Sequence, residues 1–230
     1  MKKLFIPIFL FFIFLVFPAS ATSHLAGKII ALDAGHGGTD KGAVNATYGI
    51  QEKDLNLEVA YALKPRLEAA GARVVLTREG DETITSRRER VDIAKSKCAA
   101  LGGECDILIS IHHNGSTDST VDYTEVFVTQ KKDVALGEAL YNQLLNLGLN
   151  GNGVKNDGYG MTVYGGLVSA LTESYFITND TEAELYLAGT RVPQEADLLL
   201  AGVEDYFAAQ SGGDGGGKPD KCSPWPSCRN

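Results

Sequence analysis

The chain has 230 residues, 44% of them hydrophobic and 22% charged, with 29 acidic against 21 basic side chains and a formal net charge of −8. That balance, with no basic block, excludes nucleic acid as the main partner, because phosphate binding draws its free energy from clustered Lys and Arg.

The first residues, Met1-Lys2-Lys3, precede an apolar run from Leu4 to Phe17 and then Pro18-Ala19-Ser20-Ala21. A basic start, a short apolar middle and an Ala-x-Ala site make residues 1–21 a secretory signal peptide cut after Ala21, with 22–27 as the mature N-terminal segment. The apolar run is short for a membrane span, and an uncleaved anchor is the alternative. The expected product is exported to the periplasm or the extracellular cell wall, keeps no stable membrane span, and carries a net charge of about −10 once Lys2 and Lys3 are gone.

A body of about 190 residues follows, enough for one domain with a full core. Ile29-Ile30-Ala31-Leu32 reads as a buried strand that ends in Asp33-Ala34-Gly35-His36-Gly37-Gly38. Polar residues at the C-terminal end of such a strand lie where open α/β sheets bind their ligands. Residues 39–51 read as a loop. From Glu52 the spacing of Leu55, Val59, Leu63 and Leu67 predicts a helix ended by Gly71, with Pro65 either kinking it or marking a late break. Arg73 to Thr77 is a second strand, and Thr85 to Lys97 a second helix with a Ser or Thr cap. After the Cys98 to Cys105 loop, Asp106 to Ile111 is a third strand, tipped by His112-His113-Asn114-Gly115.

Tyr123 to Thr129 is the fourth strand and Val134 to Leu147 the third helix. Asn150 to Gly160 reads as a Gly/Asn-rich loop before Met161 to Tyr164, and Leu167 to Phe176 is an apolar run interrupted by Glu173. Helical patterns at Glu182–Leu187 and Pro193–Phe207 close the domain. Strands alternating with helices predict a single α/β domain over residues 28–210, a largely parallel twisted sheet with helices on both faces. Residues 211–230 form a glycine-rich flexible tail with a cysteine pair. In an exported chain the pairs Cys98/Cys105 and Cys222/Cys228 are expected as disulfides; zinc binding competes, but neither pair has the spacing of a zinc ribbon. No sustained heptad pattern argues for assembly, so a monomer is expected.

Three of the four histidines, His36, His112 and His113, sit at strand tips where one cleft can collect them. Imidazole nitrogen with carboxylate oxygen suits zinc, and a catalytic zinc wants three protein ligands and an open position. Glu52, at a helix start just after the His36 loop, is the candidate acid; the plain alternative is a helix-start glutamate favoured by the dipole. Glu173 inside an apolar run needs a reason to be buried, either as a general base or in a salt bridge.

The order Asp33-Ala34-Gly35-His36-Gly37-Gly38, Glu52-Lys53-Asp54, Leu76-Thr77-Arg78, Ser110-Ile111-His112-His113-Asn114 and a late glutamate before Phe176 resembles the zinc-dependent N-acetylmuramoyl-L-alanine amidases. The resemblance runs from Lys28 to Phe207. It implies one Zn²⁺ per chain held by His36, Glu52 and His112, with Glu173 as catalytic acid/base. It further implies hydrolysis of the amide between N-acetylmuramic acid and L-alanine in peptidoglycan or muropeptide fragments.

Two positions depart from the family pattern. His113 stands where a small residue is usual, and either lines the cleft or substitutes as a ligand. Tyr175 stands in a glycine position and suggests an altered wall near the base. The short link from Asn114 to Tyr123 leaves no room for the inserted helix that blocks zinc in some members. Asp33 is expected either to accept from the metal-bound imidazole of His36 or to support the turn that carries it. Two other accounts remain: a module that binds peptidoglycan without cutting it, and an exported zinc hydrolase of the same fold acting on another amide.

Overall fold

The computed structural model describes residues 23–156, 164 and 166–211. The signal-peptide reading, residues 161–163, the Cys222/Cys228 pair and the glycine-rich tail lie outside the described residues. Among the described residues, eight strands and five α-helices follow in chain order. They are β1 Ile29–Ala34, β2 Val44–Asn45, β3 Ile50–Gln51, α1 Glu52–Ala69, β4 Arg73–Leu76, α2 Arg87–Ala100, β5 Ile107–Asn114 and β6 Thr124–Val128. The chain continues through α3 Val134–Leu144, β7 Gly151–Asn156, β8 Ser169–Phe176, α4 Asp180–Leu187 and α5 Arg191–Ser211.

Six strands form one sheet in the order β4-β1-β5-β8-β6-β7, and the short β2 and β3 pair separately. Within the large sheet only the β6–β8 pairing is antiparallel, so the sheet is largely parallel, as the alternating pattern implies. Side chains alternate across it with period two. Ile30, Leu32, Ile107, Ile109 and Ile111 join α1, α3 and α5 in the larger core. Ile29, Ala31 and Leu108 meet Val91, Ala94 and Cys98 of α2 on the other face. Both faces are therefore covered, which a parallel sheet requires to keep its strands from water.

The α1 stripe is the anchor of the site, since the first residue of this helix is Glu52. Leu55, Val59, Leu63 and Leu67 are all fully buried, and burying each such side chain contributes roughly 1.5–3 kcal/mol. Pro65 lies inside the helix without ending it. Its missing N–H removes one bond near the C-terminal end, where tertiary burial carries the last turn. Gly71, at φ 95°, closes the helix in the left-handed conformation, its N–H reaching Glu68 O at 3.0 Å.

α2 begins after Ser86, whose hydroxyl accepts from Glu89 N at 3.1 Å, and it runs on past Cys98 to Ala100. Cys98 and Cys105 are disulfide-bonded, with Cα atoms 5.4 Å apart. Two segments depart from the sequence reading: within the expected 39–51 loop Val44–Asn45 and Ile50–Gln51 pair as a short antiparallel ladder, and Gly151–Asn156, part of the expected Gly/Asn-rich loop, is an edge strand parallel to β6. Composition argues against a strand there, but hydrogen bonding to β6 and packing of Val154 against the core override weak local propensity. No helix among the described residues is long and apolar enough to cross a membrane.

Candidate metal centre

The turn after β1 is built by side chains distant in sequence. His36 has φ 60°, the one positive value at a non-glycine residue among those described. A left-handed residue with a β-carbon persists only where its surroundings hold it. Two guanidinium groups do so. Arg90 donates to Asp33 Oδ1 and Ala34 O, both at 2.9 Å, and to His36 O at 2.8 Å. Arg78 donates to Ala34 O at 2.9 Å and Gly35 O at 3.0 Å. Asp33 is fully buried and accepts also from Thr77 Oγ1 at 2.5 Å and Ser110 Oγ at 2.7 Å. Burial works against its ionisation, but Arg90 and the two hydroxyls outweigh that and hold its pKa below the usual carboxylate range. Asp33 thus supports the turn through Arg90 and is not the partner of the His36 ring.

Glu52 arrives from below. Its backbone N–H donates to Ala43 O at 2.9 Å, so the loop carbonyl ties down the helix start. Its Oε2 accepts from Ala43 N at 2.8 Å and lies 3.1 Å from His36 Nε2. Its Oε1 accepts from His113 N at 3.1 Å and Asn56 Nδ2 at 3.2 Å, and lies 3.0 Å from His112 Nδ1. Burial opposes a charge on Glu52, yet hydrogen bonds from His112 and His36 prevail and hold its carboxyl well below the ordinary range. One ligand atom each from His36, Glu52 and His112 lies within 4.8 Å of the others. Two imidazoles and an ionised carboxylate at that spacing are a donor set suited to a divalent cation such as zinc.

Glu173 comes from the neighbouring strand. It is the register partner of His112 on β5 and of Glu125 on β6, so the three side chains form a row across one face of the sheet. Glu173 Oε2 is shielded from solvent and has no hydrogen-bond partner. Burial, then the negative charges of Glu52 and Glu125, push its pKa well above the ordinary carboxyl value. A cleft of about 420 Å³ lined by His36, Asp40, Arg90, His112, Leu171 and Glu173 opens on one side. A second, of about 390 Å³, opens on the other side of Glu52 and Glu173 along Ala43, Asn114, Ser116 and Thr178.

A family model described as N-acetylmuramoyl-L-alanine amidase matches residues 30–205. The chain belongs to this family. It is 31% identical over 193 residues to the uncharacterised protein YqiI of Bacillus subtilis, spanning 82% of this chain and 89% of that one. It is also 31% identical over 188 residues to the N-acetylmuramoyl-L-alanine amidase LytC of Bacillus subtilis, spanning 80% of this chain and 36% of LytC. The crystal structure of an N-acetylmuramoyl-L-alanine amidase from Clostridium difficile superposes with a TM-score of 0.72 at 25% identity, covering 80% of this chain and 98% of that one.

The amidase site contains residues that sequence reasoning passed over. Asp40 Oδ2 lies 2.9 Å from His36 Nδ1 and is the ring's acceptor, which leaves Nε2 to face Glu52. Burial slightly opposes ionisation of Asp40, but the His36 hydrogen bond keeps its pKa low. The same contacts with Glu52 and Asp40 raise the His36 pKa in spite of burial. The spacing of four residues from His36 was the available signal, hidden in a polar loop rich in such residues. Arg90 carried no sequence signal, and Arg78, though part of the Leu76-Thr77-Arg78 motif, carried none for its role, since both act on groups far away along the chain.

Two expectations need correction. His113 borders the second cleft, but its side chain is fully buried and offers no ligand atom to the cluster. Alternation along β5 turns it to the face opposite His112, where Nδ1 lies 2.7 Å from Asn56 Oδ1 and Nε2 2.8 Å from Glu195 Oε2. Tyr175 is a wall of neither cleft. It is fully buried in the larger core, with its ring 4.4 Å from that of His113.

Proposed function

We propose that this chain hydrolyses the amide bond between N-acetylmuramic acid and L-alanine in peptidoglycan, with one zinc ion held by His36, Glu52 and His112 and with Glu173 as acid/base. The observation that carries the reading is the juxtaposition of the His36/Glu52/His112 cluster with Glu173 of the adjoining strand, whose Oε2 is shielded from solvent and has no hydrogen-bond partner. Family membership supplies the bond. Zinc bound there would act as a Lewis acid on the scissile carbonyl and would lower the pKa of water toward neutrality.

The chain's own groups do the remainder. Asp40 and Glu52 orient the His36 ring, and Glu52 with the Gly35 backbone orients His112. Glu173 takes a proton from the attacking water and returns it to the nitrogen of the leaving L-alanine. Its raised pKa, from burial and neighbouring negative charge, suits a group that must hold a proton between those steps. Two clefts that share Glu173 as a lining residue give a polymeric substrate room beside the cluster. The link between β5 and β6 carries no helix, so we assign no internal plug to it. The chain acts, in this reading, as an exported monomer at the cell wall.

Mass-spectrometric product analysis on intact wall material and on free muropeptides tests the reading. Wild type should free the amino group of L-alanine, Glu173→Ala should keep zinc but lose hydrolysis, and His36→Ala should lose both. Full-rate cleavage by Glu173→Ala would remove the assignment. Binding to wall fragments with no amine released would favour a binding module.

A further inference from the structure

Beneath the metal centre lies a buried polar chain with no counterpart in the mechanism above. Glu195 on α5 is fully buried in a predominantly apolar core. Its Oε1 accepts from Ser174 Oγ at 2.6 Å, and its Oε2 lies 2.8 Å from His113 Nε2. The other ring nitrogen, His113 Nδ1, lies 2.7 Å from Asn56 Oδ1. Asn56 is also fully buried, and its Nδ2 donates to Glu52 Oε1 and Gly35 O, both at 3.2 Å. Those two acceptors fix the orientation of the amide and leave its oxygen for His113. The path Glu195, His113, Asn56, Glu52 therefore joins α5, β5 and α1 without passing through water.

Burying a carboxylate in such a place is costly unless it is fully paired. A hydrocarbon core would fill the space with less desolvation. What the polar chain adds is direction: Asn56 grips the same Glu52 oxygen that faces His112, and the peptide N–H of His113 grips it too. Any rotation of the His113 side chain would release Asn56.

We propose that Glu195 and His113 are positioning residues that fix the Glu52 carboxylate, through Asn56, in the orientation that receives the metal. The inference rests on the reading of His36, Glu52 and His112 as zinc ligands. Outer partners of metal ligands typically carry 10- to 100-fold of the metal affinity. Glu195 acts at two removes, so about a 10-fold loss is expected.

The experiment is zinc affinity of the purified full chain by chelator competition, with the visible spectrum of the cobalt-substituted protein and the melting temperature of the metal-free protein. Glu195→Gln should weaken zinc about 10-fold, shift the cobalt bands and lower kcat at unchanged KM. In an Asn56→Ser background, where the link is already cut, Glu195→Gln should have little further effect on zinc affinity. Glu182→Gln, in a separate buried pair with Arg191, should lower the melting temperature and leave zinc affinity unchanged. If Glu195→Gln does not fold, Ser174→Ala, which frees one Glu195 oxygen, should weaken zinc by a smaller factor. Wild-type zinc affinity in Glu195→Gln or in that substitute, or equal losses with and without Asn56→Ser, would overturn the proposal. A wild-type chain that binds no zinc would instead remove the reading of the metal centre itself.

Discussion

Gly35 packs face to face with the ring of His112, and substituting alanine there tests the geometry of the centre directly. A β-carbon at position 35 would lie 2.6 Å from His112 Nδ1 and nearer still to Cε1 and Nε2. Ordinary contact between such atoms begins near 3.5 Å, so the ring must retreat by roughly 1 Å. The backbone of Gly35 does not adopt a positive φ, so the clash falls on the side chain and not on the turn. His112 cannot withdraw freely, since its Nδ1 is 3.0 Å from Glu52 Oε1 and its strand is paired on both sides. Metal sites tolerate about 0.2 Å of error in ligand distance, and a displacement of about 1 Å costs on the order of 100-fold in a positioned reaction. Gly35→Ala should therefore weaken zinc and lower hydrolysis on the order of 100-fold, and overpacking should cost about 1–3 kcal/mol of stability. Chelator competition and urea denaturation of the purified chain measure the two effects. Zinc affinity and hydrolysis at wild-type levels in a folded Gly35→Ala protein would refute the placement of His112 against the turn.

Two further outcomes follow from the same geometry. In the metal-free chain Glu173 has a pKa raised above its value of 4.5, so above the unfolded pKa the native state holds a proton that the unfolded state releases. Stability then falls as pH rises through that window, by at most about 1.4 kcal/mol per pH unit. Glu173→Gln should flatten the profile in urea denaturation as pH rises above the ordinary glutamate value of 4.5, and an identical profile would sink the argument. The paired change Cys98→Ser with Cys105→Ser opens a loop of sequence separation 7, which should lower stability by about 2–3 kcal/mol on chain-entropy grounds. A denaturation midpoint unmoved by reduction would speak against the bond.

The parts of this protein readable in its sequence are those that local periodicity and local chemistry impose. The apolar runs at Ile29 and Ile107, the stripe from Leu55 to Leu67 and the order of the motifs determined the α/β class and pointed to His36, Glu52, His112 and Glu173. Gly71 and Ser86 marked helix ends because a left-handed cap and a hydroxyl acceptor are local devices. The role of Asp33 was legible only as a choice between ring acceptor and support for the turn, because the choice depends on Arg90, 57 residues away along the chain.

Tertiary structure decided the rest. Register alone put Glu173 beside both His112 and Glu125, since strand pairing sets which side chains share a face. The turn of His113 into the core, against Asn56 and Glu195, required helices from either end of the chain to meet over one strand. Edge pairing drew the glycine-rich 151–156 segment into the sheet against its own propensity. A sequence specifies its candidate ligands by type and spacing, but the partners that orient them are chosen by contacts that form only when distant segments pack together.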